Sequence, residues 1–443
     1  MAFVQIESDN PNFSFLIRKN PASGMLVKQL RQGLLFGYYS KDNPTQFNCW
    51  FKDHDAKVSY DANKEFEFND VTRYSAASFV TNCFDEFFHD LTAKDQENDT
   101  LGFNNSLLIN CIHIKKRLLR IFNNSFRDFD LNYEPLTQKF FRVRIRTNQT
   151  LRKLLCYTNV LALVSAIDNR EIRFADDRLL LKYAKFIQFL DAPYFIRYLF
   201  KTNLIRREET FFHLRPFLET ETIKLSMGYN YFQRSQFIEQ NLVGSVIIDV
   251  GCGEGYYLRF AKKVEKYYAI DRDENCLEQC RHRIKHLELD NVELLESLDE
   301  LPTISVPKTL LLTEVIEHNT QEDAFELVRR CLLPETRIII TTPNRDFNVN
   351  YCGNDENNEQ DNTNEEYNIV TVNENNGKDE QDENTQDESN FRHKGHVFEF
   401  CDAEFRNFIL QTVVGSGAKV TFFQLGDQVD GVTPQSAAII ENY

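Results

Sequence analysis

Two carboxylates and an imidazole follow a strongly apolar run late in the chain. In TLLLTEVIEH, Glu314, Glu317 and His318 are spaced i, i+3 and i+4, so they share one face if the chain turns helical after the strand. Such a set suits a divalent cation such as Mn²⁺ or Mg²⁺, and the histidine favours the transition metal. The alternative is a solvated helix, where the same spacing is common.

Two further histidines lie in FRHKGHVFEF, residues 391–400. Each of His393 and His396 alone would be interpreted as a surface histidine. Together with TLLLTEVIEH, one of them completes a four-ligand site with Glu314, Glu317 and His318. The spacing leaves open which of the two is the ligand.

A glycine-rich turn follows a second apolar run, in VIIDVGCGEG at residues 246–255. Glycines such as Gly251 and Gly253 let the backbone turn tightly and come close to a ligand that side chains would exclude. Asp249 and Glu254 would repel a pyrophosphate, whereas Asp249 suits the ammonium of a methionine group. The turn therefore predicts S-adenosylmethionine, with a nicotinamide dinucleotide or a purely structural turn as alternatives.

Two polar residues end the next apolar runs. Asp271 lies twenty residues after Gly251, at the end of YYAID, where a carboxylate can accept hydrogen bonds from both ribose hydroxyls. Ser297 lies just past VELLE and is a candidate for the adenine side. The predicted cofactor-binding residues are therefore Asp249, Gly251, Gly253, Asp271 and Ser297.

These residues must be positioned by a sheet. From residue 242 onward, short apolar runs (VIIDV, YYAID, VELLE, TLLLTEV, RIIITTP) alternate with helical stretches near 256–264 and at 274–287. This alternation predicts an α/β domain with a doubly wound, mostly parallel sheet, whose ligands lie at the carboxyl ends of the strands. We assign it to residues 206–443, after an N-terminal α+β domain at 1–205.

Charge is concentrated in one segment. Residues 353–390 hold 13 acidic residues and one lysine, which accounts for −12 of the net charge of −16. Their Asn, Asp, Glu and Gln cannot bury enough apolar surface to fold, so a disordered insertion is predicted. The ten cysteines are scattered, and we find neither a signal-peptide pattern nor an apolar run of about 20 residues. A cytoplasmic protein without membrane segments is expected.

The motifs occur in a recognisable order. VIIDVGCGEG, TEVIEH, TTPNRDFN and RHKGHVFEF together resemble the small-RNA 2′-O-methyltransferases that modify the 3′-terminal ribose of microRNAs, piRNAs and RNAs under repair. The resemblance runs from YFQR at 231–234 to PQSA at 434–437. It implies a Rossmann-like class I methyltransferase domain that transfers methyl from S-adenosylmethionine to RNA.

The resemblance also implies roles for the histidines and glutamates. Glu314, Glu317, His318 and His396 would bind one divalent cation that contacts both hydroxyls of an RNA with a free 3′-terminal 2′,3′-diol. His393 or a metal-facing histidine, His318 or His396, would take the proton. Gly395 stands where the family often has Asp, which removes an acidic neighbour that would orient His396.

The N-terminal half offers a basic strand. In KFFRVRIRTNQTLRK, Arg142, Arg144 and Arg146 alternate with apolar residues, so they share one face that can follow RNA phosphates. The alternative is a solvated face of a half-buried strand. Bacterial members of the family have such an extra half and partner with RNA end-healing kinase, phosphatase and ligase proteins. Methylation of a small molecule or protein, or a non-catalytic RNA-binding subunit, are the alternative functions.

Overall fold

The computed structural model describes residues 3–30, 33–41, 43–53, 86–169, 177–351 and 395–442. The chain forms two compact units, Met1–Glu219 and Thr220–Tyr443. This division falls later than the predicted boundary between residues 205 and 206, because helix Glu208–Leu218 packs on helix Asp177–Phe189 of the first unit. The acidic segment 353–390 and His393 lie outside the described residues.

The first unit is built on an antiparallel sheet in the order β2-β3-β4-β1-β5-β7-β6. Its strands are β1 Phe3–Ser8, β2 Leu26–Leu30, β3 Gly33–Ser40, β4 Asn43–Asp53, β5 Asn105–His113, β6 Asp130–Pro135 and β7 Phe140–Thr147. Its helices are α1 Phe13–Leu16, α2 Lys116–Ser125, α3 Leu151–Asp168, α4 Asp177–Phe189, α5 Tyr194–Leu204 and α6 Glu208–Leu218. Most helices follow the sheet in sequence, as in the predicted α+β fold.

The predicted basic strand is β7. Val143 and Ile145 are buried, while Arg142 and Arg146 on the opposite face are exposed, as the alternation requires. Both exposed arginines face acids of β6, since Arg142 Nη1 lies 2.8 Å from Glu134 and Arg146 Nη1 lies 3.9 Å from Asp130. The charge of this face is therefore partly neutralised within the sheet.

The second unit contains a mostly parallel sheet in the order β11-β10-β9-β12-β13-β16-β14, in which β16 is antiparallel to both neighbours. The strands are β8 Ile223–Lys224, β9 Val246–Val250, β10 Lys266–Ile270, β11 Val292–Leu295, β12 Lys308–Thr313, β13 Thr336–Pro343, β14 Lys419–Leu425, β15 Gln428–Val429 and β16 Gln435–Asn442. The helices are α7 Asn230–Asn241, α8 Glu274–Leu287, α9 Gln321–Arg330 and α10 Asp402–Thr412. Strands β9 and β12 are buried along their whole length, because their side chains pack into two core clusters, and this explains the apolar residues Val246–Ile248 and Leu310–Leu312.

The strand order reverses between β9 and β12, which lie side by side at the centre of the sheet. In such sheets, ligands bind beyond the carboxyl ends of the strands at this reversal. The helix predicted near 256–264 is instead a 3₁₀ helix, Leu258–Lys263, closed by bonds such as Phe260 N–H to Tyr257 O at 2.9 Å. Among the described segments, no helix has the length and apolar character needed to cross a membrane.

Candidate active site at the carboxyl ends of the second sheet

The glycine loop after β9 is tightly constrained. The N–H groups of Gly251 and Cys252 both donate to the Ile270 carbonyl of β10, at 2.8 and 3.0 Å. Gly251 has φ 70°, and a Cβ there would lie 2.6 Å from Val315 Cγ2. Gly253 has φ 51°, with nothing within 4 Å of the position of a Cβ. The loop is therefore packed on one side and open at Gly253, as a backbone ligand site requires.

Asp249 lies beneath this loop and is fully buried. Its Oδ2 accepts the Tyr267 hydroxyl at 2.7 Å, whereas its Oδ1 has no partner among the described residues. Burial raises the pKa of Asp249 to about 7; the Tyr267 hydrogen bond opposes this rise and the charge of Asp271 adds to it. This carboxylate is short of a donor, and a ligand ammonium would supply one.

Asp271 follows β10 at the same end of the sheet. Its Oδ2 accepts the Gly253 N–H at 2.8 Å, and its Oδ1 accepts the Asp273 N–H at 3.0 Å. Each carboxylate oxygen has a second lone pair, so both still offer an acceptor for ribose hydroxyls. Ser297 follows β11, and its side chain makes no capping hydrogen bond to the 3₁₀ helix Leu298–Glu300.

The segment EVIEH, residues 314–318, follows β12 and lies next to the glycine loop. Glu317 is fully buried, its Oε2 accepts the Thr342 hydroxyl at 3.2 Å, and its Oε1 lacks a partner in the part of the chain that the structure describes. Burial raises the pKa of Glu317 well above its usual range, and the charge of nearby Glu314 adds to the rise. A cation at Oε1 would relieve both costs.

His318 and His396 complete a group with Glu317. One ligand atom from each of the three residues lies within 4.8 Å of the others, and the two imidazole centroids are 4.8 Å apart. His318 Nδ1 lies 3.0 Å from the Gly395 carbonyl oxygen, so the tautomer that donates there presents its Nε2 lone pair. A buried carboxylate and two imidazoles are ligands that a first-row divalent cation accepts.

Glu399 orients the second imidazole. Its Oε1 lies 2.5 Å from His396 Nδ1, and its Oε2 accepts Asn348 Nδ2 at 2.6 Å. The carboxylate is almost fully buried. Glu399 therefore supplies the acidic neighbour that Gly395 does not provide, and it holds the His396 ring in one orientation.

Glu314 lies outside the three-residue group. Its Oε2 forms an ion pair with Arg234 Nη1 at 2.9 Å, and its Oε1 accepts the Thr341 hydroxyl at 3.1 Å. Its φ of 57° is left-handed, so helical spacing does not extend across it to the 3₁₀ turn Ile316–His318. Glu314 therefore reaches the group by a left-handed turn of the backbone and not by the helical spacing that the sequence suggested.

The comparisons with known proteins cover both units. Residues 3–223 match the family model described as Hen1 N-terminal domain, and residues 242–393 match a model described as methyltransferase domain. A chain of the Pnkp1/Rnl/Hen1 RNA repair complex is 25% identical, with a TM-score of 0.77, over 99% of this chain and 100% of that one. The chain belongs to the Hen1 family. A chain from a second Pnkp1/Rnl/Hen1 structure is 23% identical over 100% of both chains, with a TM-score of 0.75. The search of curated proteins found no match.

Membership of the Hen1 family confirms several predictions made from the motifs. These are the family itself, the α+β domain followed by a Rossmann-like methyltransferase domain, and the enzyme class, an S-adenosylmethionine-dependent RNA 2′-O-methyltransferase. Spacing and motifs alone did not predict a role for Arg234, Tyr257, Asn348 or Glu399. Glu399 had a usable signal, since it stands three residues after His396 in RHKGHVFEF.

Proposed function

We propose that this Hen1-family enzyme methylates the 2′-hydroxyl of the 3′-terminal ribose of RNA, with a divalent cation held by Glu317, His318 and His396. One observation carries the proposal: the ligand group adjoins the cofactor loop. Val315, two residues before Glu317, lies against Gly251 so closely that a Cβ on the glycine would overlap it. A methyl donor on the loop and a hydroxyl at the cation would therefore be neighbours.

Each proposed cofactor-binding residue suits a different part of S-adenosylmethionine. Asp249 Oδ1, which is buried and has no donor among the residues that the structure describes, suits the methionine ammonium, while Gly251 and Gly253 let the ligand approach the backbone. Asp271 has lone pairs left for the ribose hydroxyls, and Ser297, which follows β11, is the proposed contact on the adenine side. These assignments support S-adenosylmethionine over a dinucleotide, since a buried carboxylate beneath the loop disfavours a pyrophosphate.

The cation, Mn²⁺ or Mg²⁺, would lower the pKa of the 2′-hydroxyl and align its oxygen for attack on the sulfonium methyl. Glu317 would neutralise part of the charge of the cation, and Glu399 would hold the His396 ring in one orientation. Glu314 is the fourth proposed ligand, with Arg234 and Thr341 on its oxygens. A ring that gives its lone pair to the cation cannot also accept the proton, so His393 is the proposed base when His318 and His396 are ligands.

We infer the partners from the full-length relatives. The solved chain that matches 99% of this sequence is part of a Pnkp1/Rnl/Hen1 RNA repair complex. This match supports RNA end-healing kinase–phosphatase or ligase proteins as partners of this chain. We infer a reducing, cytoplasmic location, because the eight cysteines among the described residues form no disulfide with one another.

The decisive experiment is transfer of labelled methyl from S-adenosylmethionine, with Mn²⁺, to three matched RNAs. They end in a 2′,3′-diol, a 3′-phosphate, or a 2′-deoxy nucleotide. We expect labelling of the diol alone, because the proposed cation would need both hydroxyls. Equal labelling of all three would overturn the terminal-ribose mechanism, and labelling unchanged by chelation would remove the metal from it.

A further inference from the structure

Arg234 enters the candidate site from helix α7 and contacts two different segments of it. Its Nη1 lies 2.9 Å from Glu314 Oε2, and its Nε donates to the Tyr257 hydroxyl at 2.7 Å. The Arg234 side chain is 15% exposed and that of Glu314 is 24% exposed, so this pair is shielded from most of the solvent. A guanidinium that uses two nitrogens on two partners has a fixed orientation.

Tyr257 connects this guanidinium to the cofactor loop. It follows Gly255 by two residues, is almost fully buried, and precedes the 3₁₀ helix Leu258–Lys263. Glu314, on the other side, follows β12 in the segment that leads to Glu317 and His318. Arg234 therefore joins the loop proposed to hold the methyl donor to the segment proposed to hold the cation.

The carboxylate of Glu314 has one protein donor on each oxygen. Arg234 contacts Oε2, and the Thr341 hydroxyl donates to Oε1 at 3.1 Å. Its backbone is held as well, because Glu314 N–H donates to Thr341 O at 3.0 Å. Each oxygen retains a second lone pair, so these contacts orient the carboxylate without exhausting its capacity to bind a cation.

We propose that Arg234, anchored by Tyr257, is a positioning residue that orients Glu314 for the divalent cation and so couples the cation site to the cofactor loop. The proposal rests on the proposed function, since it needs Glu314 to act as a ligand. Groups that orient metal ligands commonly contribute about 10–100-fold to metal affinity. Charge alone is a different role, because lysine would supply it without the two-nitrogen fork.

The test is Mn²⁺ titration of the full chain, with free Mn²⁺ followed by electron paramagnetic resonance. We expect Arg234→Lys to weaken Mn²⁺ binding about 10–100-fold. Tyr257→Phe, which removes only the hydroxyl anchor, should weaken it several-fold, and the double variant should lose less than the product of the two. Arg259→Lys is the matched control, because Arg259 binds Ser235 of the same helix α7 and should leave Mn²⁺ affinity unchanged.

The outcomes separate the two proposals. Wild-type protein that binds no Mn²⁺ would overturn the metal site and this inference together. Wild-type binding with unchanged affinity in Arg234→Lys and Tyr257→Phe would overturn only the positioning role. Effects that multiply independently in the double variant would show that Tyr257 does not act through Arg234. If Arg234→Lys fails to fold, the comparison of Tyr257→Phe with Arg259→Lys still decides the matter.

Discussion

Replacing Asp249 with asparagine tests the electrostatics of the cofactor site most directly. Burial raises the pKa of Asp249 from 3.8 to about 7. Because the folded pKa exceeds the unfolded one, the folded chain binds this proton more tightly, and the associated stability is lost as the pH rises from about 4 through about 7. A shift of about three units corresponds to roughly 4 kcal/mol between the two limits, at 1.36 kcal/mol per unit.

The Asp249→Asn variant keeps an oxygen for the Tyr267 hydroxyl but cannot ionise. At pH 8 the ligand-free variant should therefore unfold at higher denaturant concentration than the wild type. From the same two pKa values, its advantage should grow by about 2–3 kcal/mol between pH 5 and pH 8. Asp290→Asn, which removes an exposed carboxylate of the same unit, is the matched control.

Denaturant unfolding at several pH values gives the stability difference, and calorimetry with S-adenosylhomocysteine gives the linked proton. At pH 6 the wild type should release a proton on binding, since the ligand ammonium favours ionised Asp249. The variant should release none from this position and bind weakly. A stability difference that is the same at pH 5 and pH 8 would refute the account, because it would mean that Asp249 does not change its protonation on unfolding.

Three other substitutions probe the site. Glu317→Gln keeps the side-chain shape and removes its charge, so methyl transfer should fall at least about 100-fold while calorimetric affinity for S-adenosylhomocysteine is unchanged; retained transfer would exclude Glu317 as a ligand. Glu399→Gln should weaken Mn²⁺ binding about 10–100-fold through the loss of His396 orientation, and unchanged affinity in the titration would contradict that role. Gly251→Ala, at a left-handed φ and against a packed neighbour, should lower the free energy of unfolding by about 2 kcal/mol or more; wild-type stability would count against the packing argument.

Local patterns predicted much of the second unit. Strands β9 to β13 follow from apolar runs bounded by polar turns, and helix α8 has the predicted bounds, Glu274–Leu287, with Asp273 as its N-cap. The first unit was less predictable, because its sheet pairs strands far apart in sequence. Strand β1, for example, lies between β4 and β5, and no local periodicity specifies such partners.

The site could be predicted only as far as local spacing applies. Glu317, His318 and His396 lie close together, although 77 residues separate the two histidines in sequence, and the spacing could not decide between His393 and His396. The expectation for Glu314 assumed a continuous helical turn, which its left-handed backbone interrupts. Arg234 could not be assigned, because its partners Tyr257 and Glu314 are distant in sequence and only the sheet brings them together.

Two buried carboxylates, each with one oxygen that has no hydrogen-bond partner among the described residues, explain why this edge of the sheet suits two cationic ligands at once. Asp249 Oδ1 and Glu317 Oε1 are both buried, and neither has a hydrogen-bond partner among the described residues. An unsatisfied buried polar atom costs on the order of 1–3 kcal/mol, so neither arrangement stabilises the empty fold. Asp249 lies in β9, and Glu317 follows β12, the strand that pairs with β9. Close packing of Val315 against Gly251 keeps the two segments together. An ammonium at the first and a divalent cation at the second would remove both costs, and the methyl donor and its acceptor would then be held side by side.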